Sequence, residues 1–230
     1  VREALAIAVD RNILVEANKN MIIPAWSINT EKVINHSAEF AEYYKETYGT
    51  DVEKAKQLLT EAGWADTDGN GYLDKDGREL TLKIVANDGA TEKNTVQSLQ
   101  IQYKAIGVNL EIEMYTNYYH YDVIYEGKYD IGLEHWGWSE PILTLNMVFT
   151  DPQNLITCGV NDEFYDLVAQ TSHTPDSNER TKMVGEAERI ISDNMLLVPL
   201  YSVENNYVFA NDVTGIEIVG NGAVFYNDMK

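Results

Sequence analysis

The chain has 230 residues, 44% of them hydrophobic, enough to bury a substantial core in one large domain or two small ones. Seventeen basic against 37 acidic side chains give a formal charge of −20, and a surface of that sign repels phosphate backbones, which argues against nucleic acid as a partner. No uncharged apolar run approaches the ~18 residues of a membrane span, so any membrane link is expected only through an anchor outside this sequence.

The opening stretch "VREALAIAVDRNILVEA" predicts a helix with Leu5, Ala8, Ile13 and Ala17 along its stripe. It begins without Met, signal peptide or capping residue, and reads as cut from a longer protein. Residues 20–47, with Pro24 and Trp26, read mostly as loop, with a short helix over Glu39–Tyr48. "TDVEKAKQLLTEAG" then supplies Thr50 or Asp51 as N-cap, an apolar face of Val52, Ala55, Leu58, Leu59 and Ala62, and Gly63 as the stop.

The stretch "ADTDGNGYLDKDG", residues 65–77, admits two readings. Against the calcium loop D-x-[DN]-x-[DN]-G, residues Asp66, Asp68, Asn70 and Gly71 hold the first half, Tyr72 offers a carbonyl and Asp74 sits at the ninth position. The closing bidentate Glu is replaced by Gly77, so a structural calcium, if bound, is held modestly; no other cofactor is required. The metal-free alternative is a set of Asp/Asn-Gly turns feeding a hairpin that reverses at Lys75–Gly77.

From here strands and helices alternate. "ELTLKIVAN", "VNLEIEMY" and "YDIGLEHWGW" read as strands, separated by the helices "EKNTVQSLQIQYKAIG" and "YYHYDVIYEGK". Two consecutive strand–helix–strand units predict an α/β fold, a mixed and partly parallel sheet flanked by helices, with Leu80–Ala86, Val108–Tyr115 and Asp130–Trp136 in one sheet. "NDEFYDLVAQTS" and "DSNERTKMVGEAERIISDN" read as two further helices, and "MLLVPLYSVENNYVFA" as two strands broken at Pro199 and Asn205–Asn206.

Catalytic signatures are missing. The four histidines show no H-E-x-x-H spacing, and there is no nucleophile elbow, Walker loop or dinucleotide fingerprint. Cys158, the single cysteine, reads as a buried inert thiol. What remains is "EHWGWSEP", residues 134–141, at the expected carboxyl end of the third strand, where open α/β sheets place ligands. Trp136 and Trp138 share strand parity across Gly137 and are read either as a stacking platform or as core, with His135 and Glu140 as polar neighbours; Trp26 and Tyr118 are further aromatic candidates.

The segments "VREALAIAVDRNILVE", "VEKAKQLLTEAGW", "DTDGNGYLDKDGRELTL", "YKAIGVNLEIE", "GKYDIGLEHWGW" and "LLVPLY" follow one another as in the second half of the peptide/nickel class of extracellular solute-binding proteins, the receptors of ABC importers, which the chain resembles over nearly its whole length. The resemblance implies a periplasmic-binding-protein-like lobe over 1–200 and a C-terminal segment, 201–230, returning toward a first lobe outside this sequence. It also implies capture of a peptide or similar small solute by closure of two lobes, importer membrane subunits as partners, and an extracytoplasmic place, periplasmic or as a cell-surface lipoprotein. Trp136 falls where many relatives carry a pocket tryptophan. The acid they often place three residues later and the base three residues earlier are here Ser139 and Leu133, which leaves peptide, sugar or metal chelate open as ligand. Two other readings stand beside it: a calcium-stabilised carbohydrate-binding surface module, and an α/β hydrolase or transferase using His135 or Glu134.

Overall fold

The computed structural model describes residues 1–138, 140–150, 160–203, 206–218, 224–226 and 228–230, with the side chains of Asn117 and Tyr118 outside that set. Cys158 and Ser139 therefore lie outside the described residues.

The first seventeen residues form two helices rather than one, α1 (Arg2–Ile7) and α2 (Arg11–Ala17). Asp10 makes the break: its carboxylate accepts the Asn12 N–H and starts a new helix, so the apolar phase resets. Ile13, expected on the stripe, is exposed, and Leu14 is buried in its place. After β1 (Ile22–Pro24) comes α3 (Ala38–Tyr48), capped by Ser37, then α4 (Val52–Glu61), capped by Asp51.

The hairpin is β2 (Asp74–Lys75) with β3 (Arg78–Glu79), paired antiparallel. Its two-residue loop, Asp76 and Gly77, has φ of 53° and 73°. Both positive angles are what a type I′ turn demands, and Asp-Gly is a preferred pair for it.

The central sheet contains β4 (Thr81–Asn87), β5 (Asn109–Tyr115) and β6 (Ile131–Leu133) in the order β5-β4-β6, all parallel. Two crossover helices join them, α5 (Ala90–Lys104) and α6 (Asn117–Tyr125). Because the chain steps outward to β5 and then back past β4, right-handed crossovers put the helices on opposite faces. Side-chain parity agrees. Ile84 and Ala86 of β4, Leu110 of β5 and Leu133 of β6 join the main core with Val96, Leu99 and Tyr103 of α5. On the other face, Lys83 pairs with Glu113 at 2.8 Å and Gly132 lies under the Ile124 side chain of α6.

A second core forms around α7 (Pro141–Phe149), α8 (Asp162–Thr171) and α9 (Ser177–Asp193), with Phe149 and Phe164 meeting edge to face. α8 and α9 are capped by Asn161 and Asp176. One acid is buried beside this core. Glu188 on α9 accepts from Ser27 Oγ at 2.9 Å and Asn29 Nδ2 at 3.1 Å, and Asn29 in turn accepts from Thr144 of α7. The loop after β1 is thus tied to α9 through the Glu188 carboxylate and to α7 through the Asn29 side chain.

Of the two strands expected after residue 195, the described residues contain one, β7 (Tyr201–Val203), antiparallel to β1 in the register Pro24↔Tyr201. Leu196 and Leu197 pack instead on the second core, which holds them out of a ladder. A last small hairpin, β8 (Glu217–Ile218) with β9 (Val224–Phe225), closes the chain.

Candidate functional site

The carboxyl ends of β4 and β6 are neighbours, and the residues that follow them share one edge of the sheet. β4 runs out at Asn87 and the chain enters α5 through Asp88 and Gly89. Gly89 matters here for its missing side chain: a Cβ would collide with the carboxylate of Glu92, which folds back over the first turn of α5. Glu92 therefore sits in the favourable field of a helix N-terminus, and His135 Nδ1 lies 3.5 Å from its Oε1.

The third strand, expected to reach Trp136, stops at Leu133. The next residue, Glu134, leaves the ladder to bond the buried His120 of α6. Burial pushes the Glu134 carboxyl up from its ordinary range, with His120 and then His135 pulling it partly back. Trp136 and Trp138 thus lie beyond the strand end, and strand parity does not orient them. Both are half-buried, each with part of its ring packed on the second core and part open. His135 is largely exposed. Glu140 is the exposed N-cap of α7, with no side-chain cap bond, ahead of Pro141 at the first helical position.

Trp26 is part of a different constellation. Its ring lies 4.2 Å under the Arg11 guanidinium and packs on the main core. The Tyr118 side chain lies outside the described residues. The edge therefore gathers Glu134, His135, Trp136 and Trp138, while Glu92 and His120, which sequence reasoning passed over as site residues, join them from α5 and α6. A signal for Glu92 existed in its place three residues past the N-cap of a crossover helix, where side chains reach back over the strand end.

The aspartate loop is closed by its own backbone. Asp66 accepts N–H groups from Gly69 and Gly71 at 2.8 and 3.0 Å, Asn70 Oδ1 accepts that of Tyr72 at 2.8 Å, and Asp74 accepts from Thr67. Carboxylate oxygens of Asp66, Asp68 and Asp74 nevertheless lie within 4.8 Å of one another. Each keeps a free lone pair, so the donor set fits a hard cation while the turn stands without one.

The comparisons with known proteins agree with this architecture. The profile described as bacterial extracellular solute-binding proteins, family 5 Middle, matches residues 1–154. The periplasmic oligopeptide-binding protein OppA of Salmonella typhimurium is 28% identical over 209 residues, covering 89% of this chain and 37% of that protein. Among solved structures, the oligopeptide-binding protein AppA from Bacillus subtilis in complex with a nonapeptide superposes with a TM-score of 0.77 at 21% identity, covering 96% of this chain and 44% of that one. HbpA2 from Haemophilus parasuis superposes with a TM-score of 0.81 at 20% identity, covering 100% of this chain and 44% of the other. The chain spans less than half the length of these relatives.

Proposed function

Because this chain belongs to the bacterial extracellular solute-binding proteins of family 5, we propose that it forms one lobe of a receptor that captures an oligopeptide or similar small solute and passes it to the membrane subunits of an ABC importer. The observation that carries this reading is the open carboxyl edge of the β5-β4-β6 sheet, where half-buried Trp136 and Trp138 present ring surface beside charged groups. A ring anchored on one side and open on the other is what a stacking platform requires. Closure of a second lobe over this edge would complete the pocket.

The residues after β7 support the two-lobe reading. Tyr207, Val208, Phe209, Phe225, Tyr226 and Met229 are all exposed. An apolar surface of this kind is what a segment packing on a further lobe would present. The place of action is extracytoplasmic, free in the periplasm or held at the cell surface by a lipid anchor. Among the described residues no helix is long and apolar enough to cross a membrane. No reaction is assigned to the edge; binding and release suffice for the role.

In the full-length receptor, Trp136→Ala and Trp138→Ala are each expected to weaken binding of the solute that co-purifies with it by about thirtyfold or more, which is about 2 kcal/mol, with folding retained. Calorimetric titration beside a thermal melt reads both. Wild-type affinity in both variants, or binding lost only through unfolding, would return the pair to the core.

Calcium at Asp66, Asp68 and Asp74, with Asn70 and the Tyr72 carbonyl completing the shell, is proposed as a structural ligand only, supported by the convergence of the three carboxylates. Excess calcium is expected to raise the melting midpoint over that in chelator, and Asp68→Ala to erase the rise. Three equal midpoints would leave the stretch a turn and nothing more.

A further inference from the structure

The molecule has two apolar cores, and the tryptophans of the candidate site belong to the second. Trp136 and Trp138 pack on the cluster built by α7, α8 and α9, and so does Ile28 from the loop after β1. How these three helices sit on the main core therefore sets where the two rings stand.

Among the described residues, the side-chain bonds that join the three helices to the rest of the chain are of two kinds. Those at the rim are wholly or partly open to water: Tyr43 and Tyr48 of α3 donate to Asp193 at 2.7 and 2.8 Å, and Asn35 donates to Ser177 and Thr181. Those through Glu188 are buried. The acid is 0% exposed, with Ser27 Oγ at 2.9 and 3.1 Å from its two oxygens and Asn29 Nδ2 at 3.1 Å. Asn29 passes the tie on, its Oδ1 accepting the Thr144 hydroxyl of α7 at 3.0 Å. An exposed bond is readily exchanged for one to water; a buried bond has no such substitute when it breaks.

The groups that act on Glu188 are Ser27, Asn29 and the backbone at Asn29 and Ile28, and none of them carries a charge. Burying an ionised carboxylate without a cation is costly. Burial accordingly raises this one from 4.5 to about 7, against the pull of Ser27 and then Asn29. The Ser27 hydroxyl suits both forms, since it can donate to an ionised acid and accept from a protonated one.

We propose that Glu188 is a positioning residue for solute capture: its bonds to Ser27 and Asn29 seat the α7–α9 unit, and with it Trp136 and Trp138, and loss of its proton loosens that seat. The inference rests on the receptor reading above and deepens it with a control of affinity. Because the folded carboxyl lies above its ordinary value, the seated arrangement favours the protonated acid. This contribution is fully present below about 4.5 and is lost as pH rises to about 7. A receptor whose competent state is only partly populated binds with its affinity lowered by that fraction, so solute affinity falls across the same window.

Other titratable groups surround the network. His36 lies with Nδ1 2.9 Å from the Asn29 carbonyl, and Asp193 of α9 holds Tyr43 and Tyr48 of α3. Glu163 and Asp166 of α8 line a groove with Glu186 and Arg189 of α9, and α7 has no charged residue within Pro141–Phe149. All of them are common to wild type and Glu188→Gln, so that comparison isolates the one acid.

The test uses the full-length receptor and tetra-alanine as the probe, with affinities measured by calorimetry at pH 5 and pH 8 and a thermal melt beside each. Glu188→Gln keeps an acceptor and has no proton to lose; it is expected to match wild type at pH 5 and to bind about threefold tighter, or more, at pH 8. Thr144→Val leaves Glu188 and its donors in place and cuts the tie from Asn29 to α7. It is expected to bind about threefold weaker than wild type at pH 5 and to converge on it at pH 8. A purely structural role would shift the melts and leave both affinity ratios constant with pH. A constant ratio of wild type to Glu188→Gln overturns the proposal, while peptide binding and the receptor reading persist. Should that variant fail to fold, a constant ratio of wild type to Thr144→Val overturns it in the same way. Failure of wild type to bind the peptide would overturn both.

Discussion

Arg11→Met is expected to destabilise the chain by about 2–6 kcal/mol, since it strips two carbonyls of their donor at roughly 1–3 kcal/mol each. The side chain is 1% exposed on α2. Its Nε donates to the Ala25 carbonyl at 3.0 Å and to that of Pro199 at 2.9 Å, and Nη2 donates to Pro199 at 2.6 Å. Trp26 and Tyr44 flank the guanidinium with their rings at 4.2 and 5.7 Å. Desolvation holds its pKa below the ordinary arginine value. The two carbonyls stand at the ends of β1 and β7, so one side chain clamps a ladder whose strands lie far apart in the chain. Methionine fills the volume and leaves both carbonyls unpaired; lysine keeps the charge and loses the planar fork. Urea unfolding of wild type, Arg11→Met and Arg11→Lys measures the cost, with amide exchange at Ile22 and Ser202 as the local readout. A midpoint for Arg11→Met within experimental scatter of wild type would show that the clamp carries no stability.

The elements whose signals are local were legible in the sequence. Asp51, Asn161 and Asp176 cap the helices they precede. Asp76–Gly77 turns the hairpin, and the alternation from Leu80 to Tyr115 gives two parallel neighbours. Pairings made at long range were not. β1 has three residues, too few to show a period, and its partner is β7. The end of β6 was also hidden, because what stops it is a bond from Glu134 to His120 on another element. The buried charges left a trace that periodicity alone discards. Arg11 lies three residues before Leu14 on α2, and Glu188 lies four after Val184 and three before Ile191 on α9, all of them buried. A charge on an apolar stripe at helical spacing signals a buried, bonded group as readily as it weakens a helix prediction.

At the candidate site, the sequence shows tryptophans and acids close together in "EHWGWSEP", and their chemistry depends on partners it does not place nearby. Glu134 is an ordinary surface acid until α6 delivers His120, and Glu92 an ordinary helix-start acid until β6 ends beside β4. The parallel sheet brings about both meetings, because consecutive crossovers return the chain to the same edge.

Glu188 gives the second large effect, and it is a pH dependence. Burial raises its carboxyl from 4.5 to about 7, against the opposing pull of bonds from Ser27, then Asn29 and the backbone. Because the folded value lies above the unfolded one, the fold favours the protonated acid. This contribution is fully present below about 4.5 and is lost as pH rises to about 7. A displacement of that size corresponds to about 3 kcal/mol across the window. For a chain of this length that is roughly 6–12 °C in melting midpoint. Other groups also shape the profile: Glu134 is likewise raised, and Glu113 is lowered beside Lys83. The comparison with Glu188→Gln isolates the one acid, since glutamine keeps an acceptor for Asn29 and has no proton to lose. Thermal melts of both proteins from pH 4.5 to 8 should show wild type losing stability relative to Glu188→Gln as pH rises, with the difference levelling above about 7. Parallel profiles would mean that the donors around Glu188 already offset its burial in full. Because Ser27 and Asn29 lie on the loop after β1 and Thr144 lies on α7, the same titration should loosen the second core on which Trp136 and Trp138 rest. Tryptophan fluorescence followed across the same pH range should then change in wild type and stay flat in Glu188→Gln.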